Sequence, residues 1–481
     1  MNKTVALIFI LMSLTAALTI EVPPVNSSPK TVTVPDDYPT IAAAVGNATS
    51  GDTVFVKKGT YEEHSLVINK TILLTGEDAK TTIIKNIDSP FWDGGDFLPP
   101  PPVAVQISSN DIRFSGFTVN GVYASYIPIN VTANRTQIIG NIISPSGAGI
   151  SLSGNNNAIT QNNIIGRGNG YLSCAGSYNI IVDNNITGRA SGDLNIDGSL
   201  NIVYNNTVTD CDEYGGISIN GPENIVANNT LNKSAGVHIE SGSRNIILKN
   251  VITNGGGIGV YSGYNNTLCA NHIANCGTGV IIASSQSGIS YNYSGALTGY
   301  NLVYHNNIIG NRRQVNRDWV VYGIDSYDNG KQGNYWSDYN GTDANGDGIG
   351  DTPYIIDTNR ADNFPLIAPF DVDSVVVVLP EQVNLSPSPT TSPTPTLAPS
   401  PSPIHETSSS SATSKMPSPS STYPTLSFSP SNPLQSTSTP EVVAGSPFPE
   451  VEVVIVVSLV AVSVLAVAYF AKKKYTRGLN Y

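Results

Sequence analysis

The feature that most constrains this chain is an asparagine that returns every 21 to 23 residues. It stands at Asn141, Asn162, Asn184, Asn206, Asn229, Asn250 and Asn271, and again at Asn306 after an insertion. Five residues before most of these lies a second asparagine: Asn157, Asn179, Asn201, Asn224, Asn245, Asn266 and Asn301. Three residues before six of those is a glycine: Gly154, Gly176, Gly198, Gly221, Gly242 and Gly263. A short apolar alternation precedes each glycine, as in Ile150-x-Leu152, Leu194-x-Ile196, Ile217-x-Ile219, Val237-x-Ile239 and Ile258-x-Val260. A unit of about 22 residues holding two or three short strands has too little core of its own and must stack on its neighbours. Alternation turns every second side chain inward, and small residues bend the chain between strands. Asparagine at fixed register reads as a hydrogen-bonded column rather than as catalysis. A leucine-rich repeat has a similar length, but its leucine spacing and helical segment are missing.

The expected fold is therefore all-β: a right-handed parallel β-helix over 29–325. On the order of a dozen turns, at about 4.8 Å each, make a rod roughly 60 Å long. Earlier strands read at "KTVTV", "DTVFV", "SLVI" and "KTILLTG", and "TIAAAV" (40–45) reads as a helix plugging the first turn. A solenoid needs such caps because its end turns expose core and strand edges. The other cap is expected over 326–370, where Tyr335, Trp336, Tyr339, Tyr354, Phe364 and Pro365 gather.

The remaining chain reports on location. Residues 2–20 carry one lysine and then an apolar run, so 1–28 reads as a secretory signal and leader. Residues 371–449 are rich in Ser, Thr and Pro, and "NLSPSPTTSPTPTLAPSPSP" cannot bury a core; it reads as an extended stalk, with O-glycosylation as an expectation. "VVIVVSLVAVSVLAVAYFA" (453–471) has no charge. It is long enough for one transmembrane helix, assigned to 450–471. Lys472, Lys473, Lys474 and Arg477 follow it, which places the tail 472–481 in the cytoplasm and the folded part outside. Sequons at Asn47, Asn69, Asn130, Asn185, Asn232, Asn292 and Asn340 suit an exported glycoprotein. Acidic residues outnumber basic ones 36 to 24, for a net charge of −12. That excludes the basic stripe a nucleic-acid partner needs.

Two segments carry a family resemblance. "VPDDYPTIAAAVGNATSGDTVFVKKGTYEE" (34–63) and "GNYWSDYNGTDANGDGIGDTPYIID" (333–357), with the asparagine-rich repeats between, resemble the NosD-type β-helix proteins. These belong to the carbohydrate-binding and sugar-hydrolase β-helix group of the pectin-lyase-like fold. The resemblance implies an exported β-helix, and the membrane-anchored members are similar to archaeal surface proteins. The family's namesake implies copper delivery to nitrous oxide reductase. Copper sites favour Met, Cys and His, and the methionines here are only Met1, Met12 and Met416. His64, His238, His272 and His305 are scattered along the rod. "CANHIANC" puts Cys269, His272 and Cys276 close in sequence, but a Cys269–Cys276 disulfide or two packed thiols is the expectation. Cys174 is expected in the core.

With apolar residues inward, successive turns present Asn195 and Asp197, Ser218 and Asn220, then His238 and Glu240, followed by Tyr261. This mid-rod face is expected to bind polysaccharide or cell-envelope glycan through Asn195, Ser218, Asn220 and Tyr261. The alternatives are a hydrolase, lyase or epimerase using Asp197, Glu240 and His238, or a structural surface-layer or adhesion component. Two turns separate Asp197 from Glu240, roughly 9.6 Å of backbone, close to the carboxyl spacing of inverting glycosidases, about 6.5–9.5 Å. Insertions at 88–102, with Phe91, Trp92 and Phe97, and at 287–300, with Tyr291, Tyr293 and Tyr300, could add aromatic stacking for a sugar. In the C-terminal segment, Asp343, Asn345 and Asp347, the Ile349 carbonyl and Asp351 follow the ligand order of a calcium loop. Tyr354 occupies the twelfth position where an acid belongs, which weakens affinity or recruits another acid, such as Asp357 or Asp338. The loop reads chiefly as a clasp, with Ca2+ as its candidate cofactor.

Overall fold

The computed structural model describes residues 28–87, 103–120, 127–144, 149–166, 172–188, 194–211, 215–283, 299–316 and 325–377. The signal, Trp92 and its insertion, most of the stalk, the 450–471 segment and the tail lie outside the described residues. No helix among the described residues is long and apolar enough to cross a membrane.

The chain winds as a right-handed parallel β-solenoid, visiting three sheets in order on each turn. The first sheet has 12 strands, from Thr31–Val34 to Leu302–Tyr304; the second has 12, from Gly59–Glu63 to Tyr335–Trp336; the third has 11, from Leu66–Ile68 to Arg313–Val315. Alternation does what the sequence implies. Ile159, Ile181, Val203, Val226 and Ile247 stack inward from the first sheet, Ile164, Ile186, Val208 and Leu231 from the second, and Cys174, Ile196, Ile219 and Ile239 from the third, each 0% exposed.

Both asparagine columns are buried at the corners. Asn184 accepts the backbone N–H and Nδ2 of Asn162 at 3.0 Å each. Its own Nδ2 donates to Ile159 O (2.8 Å), Val182 O (3.1 Å) and Asn206 Oδ1 (2.9 Å). The residue before each asparagine turns the chain through the left-handed region, as at Asp183 (φ 58°) and Asn205 (φ 54°). Every link donates toward the C-terminal end, so each column must finish on a group that only accepts. Both finish on aspartate. Asp325 Oδ1 takes the N–H and Nδ2 of Asn301 at 3.0 and 2.9 Å. Asp362 Oδ2 takes the N–H of Asn334 at 2.7 Å and the indole N–H of Trp336 at 2.8 Å. An ionised carboxylate is acceptor-only. The glycine column has a separate reason: a Cβ on Gly198 would lie 1.9 Å from Gly176 O, and one on Gly263 1.9 Å from Gly242 O.

The caps close the ends. Helix α1 (Ile41–Asn47) buries Ile41, Ala44 and Val45 on the first turn, with Thr40 as its N-cap. The buried Glu63 carboxylate accepts the N–H groups of Ile41 (2.6 Å) and Ala42 (3.3 Å). At the other end Lys70 Nζ donates to Val45 O, Gly46 O and Ala48 O at 3.2, 2.6 and 2.9 Å. A carboxylate at the N-terminus and an ammonium at the C-terminus both match the helix dipole. At the C-terminal end Trp336 and Tyr354 stack at 4.4 Å beneath the last turn. The chain then doubles back. Phe370 exchanges two hydrogen bonds with the Asn307 side chain (2.7 and 2.9 Å), its ring stacks on His305 at 4.0 Å, and Lys249 Nζ donates to Val375 O at 3.0 Å. The first residues of the expected stalk, 371–375, thus lie along the rod.

Candidate functional site

The third sheet carries the candidate site. Its register aligns Asn130, Ser151, Ser173, Asn195, Ser218, His238, Gly259 and Ile281 in one outward column. The column is polar from Asn130 to His238 and gives way to Gly259 and Ile281 beyond it.

Two groups form at the middle turns. In the first, Asp197 Oδ2 accepts Asn195 Nδ2 at 2.7 Å, and Asp197 Oδ1 accepts Asn220 Nδ2 at 2.9 Å. Asn220 Nδ2 also reaches Asn195 Oδ1 at 3.2 Å, closing a ring across two turns. Ser218 stands beside it, paired between Asn195 and His238. In the second group, His238 Nδ1 lies 3.8 Å from Glu240 Oε1, and its ring meets Tyr261 edge-on with centroids 5.3 Å apart. Burial holds the His238 imidazole below its ordinary pKa. It pushes the Tyr261 hydroxyl up to about 12, with the Glu240 charge adding to the effect. Gly259 makes the contact possible. It follows His238 in the outward column, and a Cβ there would sit 2.8 Å from the Tyr261 ring.

A register shift separates the two groups. Asn220 pairs with Ser241, not Glu240, so Glu240 is the extra residue of a β-bulge. Such a bulge re-aims its side chain; Glu240 leaves the straight stack over Asp197 that simple alternation implies. The sequence selects every member of both groups but gives no sign of the bulge or of the Gly259 clearance. Of the aromatics on the insertions, Tyr300 is described and is exposed, while Trp92, Tyr291 and Tyr293 lie outside the described residues.

The expected calcium loop is a set of turns closed on its own backbone. Asp343 accepts the N–H groups of Gly346 (2.7 Å), Asp347 (3.2 Å) and Gly348 (2.9 Å). Asn345 Nδ2 donates to Asp347 Oδ2, Asp347 Oδ1 accepts Ile349 N–H, and Asp351 accepts Ala344 N–H, each at 2.9 Å. The donor types suit a hard cation, but the oxygens converge on N–H groups rather than on one point. The expected substitutes are engaged: Asp357 pairs with Arg360, and Asp338 accepts the Tyr354 hydroxyl at 3.2 Å. Gly350 N–H donates to Pro365 O at 2.8 Å and Ile367 N–H to Gly348 O at 3.1 Å, fastening the loop to the chain that follows.

All four cysteines are buried thiols outside any disulfide. Of the two expectations for "CANHIANC", the packed thiols hold. Cys269 ends a first-sheet strand and Cys276 follows a second-sheet strand, where its thiol donates to Ala274 O at 3.4 Å. Burial pushes the Cys174 thiol up to about 12 and that of Cys269 up to about 11.

Fold and site together define a parallel β-solenoid with a polar, aromatic-edged outer face. Residues 194–341, which include that face, match the family model described as "Periplasmic copper-binding protein (NosD)". A search of curated proteins finds no match. Similar solved structures include the Dettilon tailspike protein (14% identity, TM-score 0.43, 64% of this chain and 66% of that chain). The chain thus spans just under two thirds of the tailspike's length. Others are the catalytic domain of an α-1,3-glucanase in complex with nigerose (13%, TM-score 0.43, 65% and 66%) and the A-module of a mannuronan C-5 epimerase from Azotobacter vinelandii (14%, TM-score 0.38, 60% and 94%). The copper in the family description does not fit the described residues of this chain. Copper's soft ligands are inward thiols here, and no three His, Cys, Asp or Glu among the described residues are grouped to hold a metal.

Proposed function

We propose that this protein binds polysaccharide or cell-envelope glycan on the outer face of its third sheet, at Asn195, Asp197, Ser218, Asn220, His238 and Tyr261. The carrying observation is the junction of two surfaces: a hydrogen-bonded amide–carboxylate ring and, one turn on, an imidazole and a phenol ring set edge to face. A sugar offers hydroxyls to the first and C–H faces to the second. The export signal, the stalk and the 450–471 segment support a location at the cell surface, with the rod outside and the tail in the cytoplasm.

The second reading is a polysaccharide hydrolase, lyase or epimerase using Asp197, Glu240 and His238. Binding accounts better for the geometry, because the Asn195 and Asn220 amides fix Asp197 as an acceptor while Glu240, on the bulge, leaves the stack that a carboxyl pair would need. The test is a glycan array on the purified protein, with product analysis of every hit. We expect binding that Asn220→Ala and Tyr261→Ala each weaken about tenfold, the loss of one or two good polar or stacking contacts. New reducing ends or unsaturated products, abolished by Asp197→Asn, would make the enzyme reading correct. No binding to any glycan would leave the structural role.

For the clasp we propose weak calcium binding at Asp343, Asn345, Asp347 and Asp351. Asp343 already accepts three backbone donors and the twelfth position lacks its acid, which sets affinity near the extracellular range of about 10⁻⁴–10⁻³ M. Millimolar calcium should raise the melting temperature, and Asp343→Ala should remove the rise. A rise of the same size in Asp343→Ala would place the ion elsewhere.

A further inference from the structure

The last turn holds a cleft of about 460 Å³, away from the mid-rod face. It is lined by the 310–315 segment, by Ser337 and Asp338, and by Tyr354. Its polar atoms are fixed in a chain. Asn311 Nδ2 donates to Gln314 Oε1 at 2.9 Å, and the buried Gln314 donates through Nε2 to Ser337 Oγ at 2.7 Å. Ser337 Oγ also accepts Gly310 N–H at 2.8 Å. A hydroxyl has two lone pairs and one proton. With both lone pairs taken, the exposed Ser337 must present its O–H as a donor. Arg312 and Arg313, both exposed, add guanidinium groups to the lining. Asp338 is the one carboxylate among the lining residues.

This pattern selects a ligand. Arginine and a hydroxyl donor together suit a carboxylate. Asp338 opposes a bare anion and favours one that carries hydroxyl donors beside its charge. The volume falls within the range of small-molecule sites, about 300–1,000 Å³. We propose that the cleft binds an acidic sugar unit, with its carboxylate on Arg312 and Ser337 and its hydroxyls on Asp338. The proposal rests on the glycan reading above and adds a second, charge-selective subsite at the C-terminal end of the rod.

The test is calorimetry on the full-length protein with trigalacturonate, galactotriose and sodium sulfate. Trigalacturonate should bind at least about tenfold tighter than galactotriose, and Arg312→Ala and Ser337→Ala should each weaken it about tenfold. Arg312→Lys, which keeps the charge but not the fork, should fall between. Arg312 is exposed, so Arg312→Ala and Arg312→Lys should melt with the parent and carry the test, whereas Ser337→Ala also takes the acceptor from Gln314 Nε2 and Gly310 N–H and is read beside its own melting temperature. Equal binding of the two trisaccharides, unchanged affinity in Arg312→Ala, or competition by sulfate as strong as by uronate would overturn the proposal. Trigalacturonate binding lost only in Asn220→Ala or Tyr261→Ala would overturn it while leaving the mid-rod reading intact. If no glycan of any class binds, both fall.

Discussion

Removing one rung of the asparagine column that runs through Asn206, Asn229 and Asn250 should cost far more than removing an asparagine from the surface. Asn229 is fully buried and takes part in five side-chain hydrogen bonds. It accepts Asn206 N–H (2.9 Å) and Asn206 Nδ2 (3.0 Å), and donates to Val203 O (2.9 Å), Ala227 O (3.1 Å) and Asn250 Oδ1 (3.0 Å). In Asn229→Ala the backbone of residue 229 still donates to Asn250, so the link below survives in part. The buried N–H of Asn206 loses its acceptor, at about 1–3 kcal/mol, and the lost donations add about 1 kcal/mol net. The sum is about 3 kcal/mol. Asn185, one residue after a column position, is exposed and donates to Asn163 Oδ1 at 2.9 Å. Its alanine variant should fall within about 0.5 kcal/mol of the parent. Urea unfolding followed by far-UV circular dichroism measures both. If Asn229→Ala lies within 1 kcal/mol of Asn185→Ala, the columns are not what holds the turns in register, and the hydrogen-bond argument is wrong.

Two further outcomes follow from the caps. Lys70→Met should destabilise the first turn by about 1–2 kcal/mol, since three helix-end carbonyls lose a charged donor; Glu63→Gln in the same background tests whether the two ends of α1 act together, by a double-mutant cycle on melting. Burial lowers the pKa of His305, so the unfolded chain binds its proton more readily than the folded one. Stability from this group is complete above about 6.5 and is lost as the pH falls below it. Asp362, pushed up to about 6 by burial, acts in the opposite sense, losing stability as the pH rises from its unfolded value through about 6. His305→Gln should therefore flatten the loss between pH 7.5 and pH 5.5 relative to the parent, with the Asp362 effect common to both. An unchanged slope in melting temperature would mean that His305 keeps its ordinary pKa against Phe370.

The sequence by itself determined the solenoid. A period of 21 to 23 residues, inward alternation and asparagines at fixed offsets leave one way to satisfy buried backbone at every corner. The same reasoning read the capping helix and named each residue of the mid-rod face. What it lacked were contacts set by register across turns. The bulge that displaces Glu240 depends on a pairing of Asn220 with Ser241 that no local pattern signals. The Tyr261 contact with His238 depends on Gly259, which looks like any other glycine in a glycine-rich chain. The terminating aspartates were legible in principle, as acids continuing each column, but the longer and irregular spacing from Asn301 to Asp325 and from Asn334 to Asp362 conceals them. The strap at 370–375 and the cleft at Arg312, Ser337 and Asp338 join residues remote in sequence. Side-chain periodicity is local and survives in one dimension; which turn ends meet, and which hydroxyl has its lone pairs taken, is decided only when the turns stack.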